Sequence, residues 1–286
     1  MSVSREKMVL TCIILDRYKL IGRGCYGTVY QGTWMNRKVA VKRIQIENVE
    51  NNKEEEALKK LDHPNVVKLY HVESDSDFRY YALELCQLSL SQLFNGDEAQ
   101  KNYQGKMPPE KEVCLQLAKG LAHIHEKGFI YWDIKPQNVF ISIHPIDGGN
   151  VSMKWADFGL SSPLNDRGSF STTEHNTRPD NWLAPEILQM KENFNRTTPL
   201  RQEGTVKSDV FSTGLIFGYY LLNGRHPYGS QFNIPANIVN DTPVNLKAIE
   251  EQKHPMLRAI IMDMLKKNPN ERISSADVIT RIANIS

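Results

Sequence analysis

Four polar side chains between positions 133 and 157 have the types that moving a phosphoryl group requires. They lie in two short runs, Asp133-Ile-Lys135-Pro-Gln-Asn138 and Asp157-Phe158-Gly159. Phosphoryl transfer needs a carboxylate to accept a hydroxyl proton, a cation near the moving phosphate, and oxygen ligands for a hard metal ion. Asp133 supplies the first, Lys135 the second, and Asn138 with Asp157 the third, a donor set suited to Mg²⁺ rather than zinc. Upstream, Gly22-Arg-Gly24-Cys-Tyr-Gly27-Thr-Val29 fits G-x-G-x-x-G-x-V. Glycines there let backbone N–H groups approach phosphate closely. A dinucleotide-binding turn would enter a helix after the last glycine, whereas Thr28-Val29-Tyr30 continues as strand. Lys42, in Val39-Ala40-Val41-Lys42, follows on the next strand within reach of phosphate oxygens. It needs an anionic partner, and Glu54 on the following helix is the candidate, with Glu55 and Glu56 beside it.

The elements that must hold these groups fall into two kinds. Tyr18–Ile21, Thr28–Gly32, Lys38–Ile44, Val66–Val72 and Arg79–Leu85 are short β-branched or aromatic runs between turn residues, which predicts strands. One polar helix, from about Asn52 to Leu61, interrupts them and closes at His63-Pro64. After Cys86 the pattern becomes helical. Pro108-Pro109-Glu110 opens a helix carrying Val113, Leu117, Leu121 and Ile124, and Gly128 ends it. Val139–Ile143 and Val151–Trp155 flank Asp147-Gly148-Gly149, the pattern of a hairpin. Val210–Leu222 is apolar nearly all round and predicts a buried helix ending at Asn223-Gly224. Met256, Leu257, Ile260, Ile261, Met264 and Leu265 form an amphipathic stripe. Ser274-x-x-Asp277 predicts the cap of a last helix.

With 286 residues, the chain has room for about two compact units. Its 35 basic and 33 acidic residues leave a net charge of +2, which gives no reason to expect nucleic acid or anionic membrane as partner. Cys12, Cys25, Cys86 and Cys114 are scattered without a C-x-x-C pair, which argues against a zinc site or a disulfide framework and suits a reducing cytoplasm. His123 and His125 point to different faces of their helix and make no metal pair. The apolar run Met8–Leu15 is too short to span a bilayer and lacks a signal-peptide cleavage pattern, so it reads as a strand or a docking segment. The N-x-S/T tripeptides at Asn150, Asn195, Asn240 and Asn284 then read as chance.

In this order and at these spacings, the motifs resemble a eukaryotic protein kinase over nearly the whole chain. Ala184-Pro185-Glu186, Asp209-Val-Phe-Ser-Thr-Gly214 and Arg272, the expected partner of Glu186, extend the resemblance. It implies a bilobal α+β fold: a β-rich N-lobe over 1–86 with one key helix, and a larger helical C-lobe over 87–286. It implies ATP and Mg²⁺ as cofactors and a protein substrate. It selects Glu54, nine residues before His63-Pro64-Asn65, as the partner of Lys42. Leu83 becomes the gatekeeper, with Glu84, Leu85 and Cys86 as the adenine-binding hinge. Ile21, Val29, Ala40 and Phe140 would line the nucleotide site. Glu84-Leu-Cys86, Lys135-Pro-Gln-Asn138, Trp182-Leu-Ala-Pro-Glu186 and the Asp-Val-Phe-Ser-Thr-Gly run are similar to the kinase part of the inositol-requiring kinase–endoribonuclease and ribonuclease L family. The sequence stops at Ser286, after the last kinase helix, so RNA cleavage is not carried over. Relatives in that family dimerise through the smaller lobe, where Asp62 and Lys68 occupy positions suited to cross-dimer ion pairs.

Three positions depart from the pattern. Tyr131-Trp132-Asp133 stands where kinases carry His-Arg-Asp, removing the arginine that clasps a phosphorylated loop; Trp132 is expected to pack against the loop instead. Arg178-Pro179 replaces the Gly-Thr of serine/threonine kinases, and Phe140 replaces a leucine beneath adenine. The altered Tyr-Trp-Asp and the lost Gly-Thr motivate an alternative, a nucleotide-binding regulatory or dimerisation module with little catalysis. Ser169-Phe-Ser171-Thr172-Thr173 resembles an autophosphorylation cluster.

Overall fold

A computed structural model describes residues 7–24, 27–48, 53–96, 98–101, 103, 105–144, 149–172, 179–192, 202–249 and 254–285. The N-terminal part is a six-stranded sheet. Its strands are β1 (Lys7–Val9), β2 (Ile13–Gly24), β3 (Gly27–Trp34) and β4 (Arg37–Gln45), then, after helix α1 (Lys53–Lys60), β5 (Leu69–Ser74) and β6 (Phe78–Glu84). The order is β1-β2-β3-β4-β6-β5, antiparallel throughout. The Met8–Leu15 run divides into two paired strands, with Leu10 N–H donating to Ile13 O across the turn at 2.8 Å. Along β4, Val39 and Val41 are fully buried among Ile13, Leu15, Tyr30, Tyr80 and Ala82, and this packing places Ala40 and Lys42 on the opposite face. Gly27 closes the glycine-rich hairpin with φ 132°, and a Cβ there would stand 2.5 Å from Arg43 O. Cys25 and Tyr26 lie outside the described residues.

The strand expected over Val66–Val72 begins only at Leu69. Val66 and Val67 are spent on the junction instead: Val66 bridges Trp155 in parallel, and Val67 N–H donates to Trp155 O at 2.9 Å. Short elements follow, namely β7 (Leu88–Ser89), α2 (Leu90–Phe94) and α3 (Glu98–Lys101), with Ser89 and Gln92 capping α2 reciprocally. Helix α4 (Glu110–Glu126) leads through β8 (Phe129–Ile130) to the antiparallel pair β9 (Val139–His144) and β10 (Asn150–Trp155). Asp147 and Gly148 of the expected turn lie outside the described residues. Then come β11 (Ser162–Pro163), β12 (Ser169–Thr172), α5 (Pro185–Glu192), β13 (Gln202–Thr205), α6 (Val206–Leu221), α7 (Ile234–Val239), α8 (Pro255–Met264) and α9 (Ser275–Ala283).

Helix α6 starts four residues before its apolar run because Thr205 caps it, accepting from Lys207 N–H at 3.2 Å. From Ser208 to Tyr219 it is buried throughout, the central post of the helical part. Ser274 caps α9 by accepting from Asp277 N–H at 3.1 Å. The antiparallel pairing of β12 with β13 (Ser169↔Thr205, Phe170↔Gly204) has no counterpart in the sequence reading. Its strands are four residues each and lack an alternating apolar pattern.

Behind Trp182, His226 is buried, its ring centroid 4.7 Å from the indole, and its Nδ1 accepts from Tyr228 N–H at 3.1 Å. Burial pushes its pKa from 6.5 down to about 4. Between those values the unfolded chain takes up a proton that the folded chain refuses, so stability falls as pH drops through that window. The loss reaches about 3 kcal/mol near pH 4. Urea unfolding at stepped pH should show this slope, and His226→Asn, which keeps an acceptor but does not titrate, should flatten it.

Candidate active site

Lys42 and Asp157, 115 residues apart, meet where the sheet faces the helical part. Lys42 Nζ donates to Glu54 Oε1 and Oε2 at 2.6 and 2.8 Å and to Asp157 Oδ1 at 2.8 Å. Lys42 is buried, as is Glu54 on α1. Burial opposes the lysine's charge, but Asp157 and Glu54 outweigh it and raise its pKa, so Lys42 is cationic at neutral pH. Burial likewise resists ionisation of Asp157; Lys42 above all, then Lys135 and Gly159 N–H, overcome it and hold the carboxyl below its ordinary value. For Glu54, burial dominates over Lys42 and lifts its pKa. The flanking glutamates are otherwise engaged: Glu55 binds Lys59 at 2.6 Å and Arg79 Nε at 3.0 Å, and Glu56 is exposed.

Asp133 is buried, and its Oδ2 accepts from Lys135 Nζ at 2.7 Å and from Asn138 Nδ2 at 2.8 Å. Asn138 Nδ2 also reaches Asp133 O at 2.9 Å. With its NH₂ committed to Asp133, Asn138 has an amide oxygen able to meet a cation, and the Asp157 carboxylate has lone pairs beyond the one that Lys42 takes. Ala156 N–H donates to Asn138 O at 3.0 Å, which ties the two ligand-bearing segments together. An all-oxygen pair of this kind fits Mg²⁺.

Asp209, the first residue of the Asp-Val-Phe-Ser-Thr-Gly run, turns out to brace this loop, a role its position in the sequence does not announce. Buried at the start of α6, it accepts from Tyr131 N–H at 2.7 Å and from Trp132 N–H at 3.0 Å. His125 links it to Ser275, with 3.1 Å from Nε2 to Asp209 Oδ2 and 3.0 Å from Nδ1 to Ser275 Oγ. The bracket holds Trp132 at φ 71°, a left-handed conformation uncommon for a bulky residue. Tyr131 packs on Phe158 with ring centroids 5.1 Å apart. Glu186 and Arg272 form the expected bidentate pair at 2.9 and 3.0 Å.

The residues expected to line a nucleotide site occupy neighbouring strands. Val29 is registered with Lys42, and Ala40 with Leu83. Phe140 lies on β9, which the hinge joins through Gln87 N–H to Ile141 O at 2.9 Å. Val29, Ala40, Leu83 and Phe140 are partly exposed, and Ile21, beside Gly22 and Gly24 at the end of β2, is exposed. The side chain of Glu84 turns away to Lys154 at 2.9 Å and Ser142 at 3.1 Å, and its N–H donates to Lys68 O at 2.9 Å. Burial pushes the Cys86 thiol up to about 12. Asp62 and Lys68 pair with each other at 3.3 Å, both exposed.

Trp132 is buried against the β12–β13 ribbon. Its ring meets Phe170 edge-on with centroids 5.5 Å apart, and a Cβ on Gly204 would stand 1.8 Å from its Cζ3. The ribbon is thus held to the catalytic loop by apolar contact. Gly204→Ala should cost about 1–3 kcal/mol through overpacking. In thermal melts that loss should shrink in a Trp132→Leu background, because the clash is with the indole. Additive losses would rule the contact out as the cause. Ser169 is buried within the ribbon, donating to Glu203 Oε1 at 2.7 Å, so a phosphate there would face a carboxylate. Pro179 precedes a short 3₁₀ turn, Asp180–Trp182. Arg178, Thr173 and the side chains of Ser171 and Thr172 lie outside the described residues.

A family model of the protein kinase domain matches residues 15–282. The chain therefore belongs to the protein kinase family, with the bilobal α+β fold of that class. Within it, the chain is 34% identical over 266 residues to serine/threonine-protein kinase/endoribonuclease ire-1 of Caenorhabditis elegans, covering 91% of this chain and 26% of that protein. It is also 34% identical to serine/threonine-protein kinase/endoribonuclease IRE2 of Homo sapiens, covering 91% and 27%. The sensor for unfolded proteins in the ER ire1 of Schizosaccharomyces pombe is 31% identical, covering 89% and 25%. The chain thus spans about a quarter of the length of these relatives. Among the described residues, no helix is long and apolar enough to cross a membrane.

Proposed function

We propose that this chain is a catalytically competent serine/threonine kinase domain that transfers the γ-phosphate of ATP to protein hydroxyls, its own included. The observation that carries the reading is Lys42 bound at once to Glu54 and Asp157. In protein kinases this lysine–glutamate pair and the magnesium-binding aspartate must both be in place for transfer.

In this reading residues 1–86 and 87–286 form two lobes around the nucleotide. Gly22, Gly24 and Gly27 let the backbone close over the phosphates, and Lys42 orients them. The hinge Glu84, Leu85 and Cys86 receives adenine by backbone contact next to the gatekeeper Leu83, with Ile21, Val29, Ala40 and Phe140 about the ring. Asn138 and Asp157 would hold Mg²⁺, which supplies neutralisation of the charge on the transferring phosphate. Asp133 accepts the hydroxyl proton through its carboxylate, and Lys135, bound to its Oδ2, stands ready to steady the phosphate. Because Trp132 holds the ribbon without a phosphate, activity in this reading does not depend on an arginine clasp. Serine/threonine specificity rests on the relatives' printed names, and a homodimer through the smaller lobe rests on the family resemblance alone.

Incubation with Mg²⁺ and labelled ATP tests the proposal, with Asp133→Asn as control. Label appearing on the chain or on a generic protein substrate, and lost in the variant, is the expected result. Nucleotide binding without transfer would favour the alternative, a regulatory module set by nucleotide occupancy.

A further inference from the structure

The sheet of the smaller lobe is open in its strand order, with β1 at one edge and β5 at the other. It nevertheless curls until those edges meet. Cys12, in the β1–β2 turn, donates its backbone N–H to Glu73 Oε1 on β5 at 2.7 Å, and Tyr80 Oη lies 3.7 Å from Met8 Sδ. Three groups of metal-binding type gather at this seam: Cys12, His71 and Glu73, whose ligand atoms all lie within 4.8 Å of one another. His71 and Glu73 are two apart on β5 and so share a face.

A second, independent observation points to a ligand. The Glu73 side chain is 10% exposed, and its Oε2 is buried without a hydrogen-bond partner among the described residues. Its Oε1 already takes the Cys12 N–H and lies 3.2 Å from His71 Nε2, so hydrogen bonding within the cluster accounts for one carboxylate oxygen and leaves the other. A buried, unsatisfied carboxylate oxygen is costly until a cation or a hydrogen-bond donor meets it. The indole of Trp34 stacks on the His71 ring at 5.8 Å and sets its plane, while the 36% exposure of His71 leaves a path from solvent.

We infer that Cys12 Sγ, the His71 imidazole and Glu73 Oε2 form a zinc(II) site that staples the seam of the curled sheet. Thiolate, imidazole and carboxylate together are a zinc donor set, at about 2.3, 2.0–2.1 and 2.0–2.2 Å, with water completing a tetrahedron. Those bond lengths place neighbouring ligands about 3.3–3.6 Å apart, so the cluster closes by roughly 1 Å on binding. Binding forms the Zn–S bond as the Cys12 thiol releases its proton to solvent. The spacing argument against zinc fails here because the ligands come from segments some sixty residues apart that only the curl of the sheet brings together. This inference is independent of catalysis.

The test is a titration of the reduced, metal-stripped chain with Co²⁺ alone and then Zn²⁺ alone. One equivalent of Co²⁺ should give a thiolate-to-cobalt charge-transfer band and strong tetrahedral d–d absorption, both bleached by one equivalent of Zn²⁺. Cys12→Ser should lose the charge-transfer band, and Glu73→Gln should weaken Zn²⁺ binding about tenfold or more. No band in the wild-type chain, or an undiminished band in Cys12→Ser, overturns the site. A readout free of variants is alkylation of Cys12 followed by peptide mass spectrometry. Zn²⁺ should slow it, and an unchanged rate overturns the site equally.

Discussion

Asp133→Asn is expected to lower kcat for phosphate transfer by roughly a hundred- to ten-thousand-fold, the range lost when a general base is removed. Nucleotide affinity should stay within about a factor of two, since the lost interaction acts on the transferring group and not on ground-state binding. The geometry makes this substitution a clean one. Asp133 Oδ2 accepts from both Lys135 and Asn138, and an asparagine oxygen can keep one of those contacts while being unable to take a proton. Single-turnover transfer and equilibrium nucleotide binding, measured on the same preparation, separate the two effects. Full transfer activity in the variant would falsify the assignment of Asp133 as base. A large loss of binding would instead mean that Asp133 shapes the nucleotide site through Asn138.

Arg272→Leu is expected to cost about 3–5 kcal/mol, because it strips the partner from a largely buried carboxylate. Arg272 is 1% exposed. Besides Glu186 it donates to Lys207 O at 2.7 Å, Lys266 O at 2.9 Å and Lys267 O at 3.2 Å, and its guanidinium lies 5.0 Å from the centre of the Phe211 ring. Leucine preserves some of the packing on Phe211 but leaves Glu186 and three carbonyls short of donors. For a chain of this size, Tm should fall by roughly 6–20 °C. Glu186→Gln should do less, since a neutral amide still accepts from Arg272. A drop within the range of an exposed ion pair, about 0–1 kcal/mol, would show that solvent reaches the pair and that it does not anchor the helical part.

What the sequence determined by itself was local. Glycine spacing, the proline and serine or threonine at helix starts, the apolar period of α4 and α8 and the unbroken apolar run of α6 each act within a few residues, so the main strands and helices and the catalytic runs were legible. So was the list of groups able to do phosphate chemistry, because the chemistry restricts residue type. Tertiary structure alone decided which of them meet. Residue type alone left three adjacent glutamates open for Lys42, and the spacing shared with kinases pointed to Glu54; the docking of helix α1 supplies the physical reason. Successive residues on a helix point about 100° apart, and only Glu54 faces the lysine while Glu55 turns to Arg79 and Glu56 to solvent. The role of Asp209 depends on a loop 77 residues away, and the seating of Trp132 depends on the absence of a side chain at Gly204. Cys12 and Glu73 lie at opposite edges of the sheet in strand order, and it is the curl of that sheet around its apolar core that makes them neighbours.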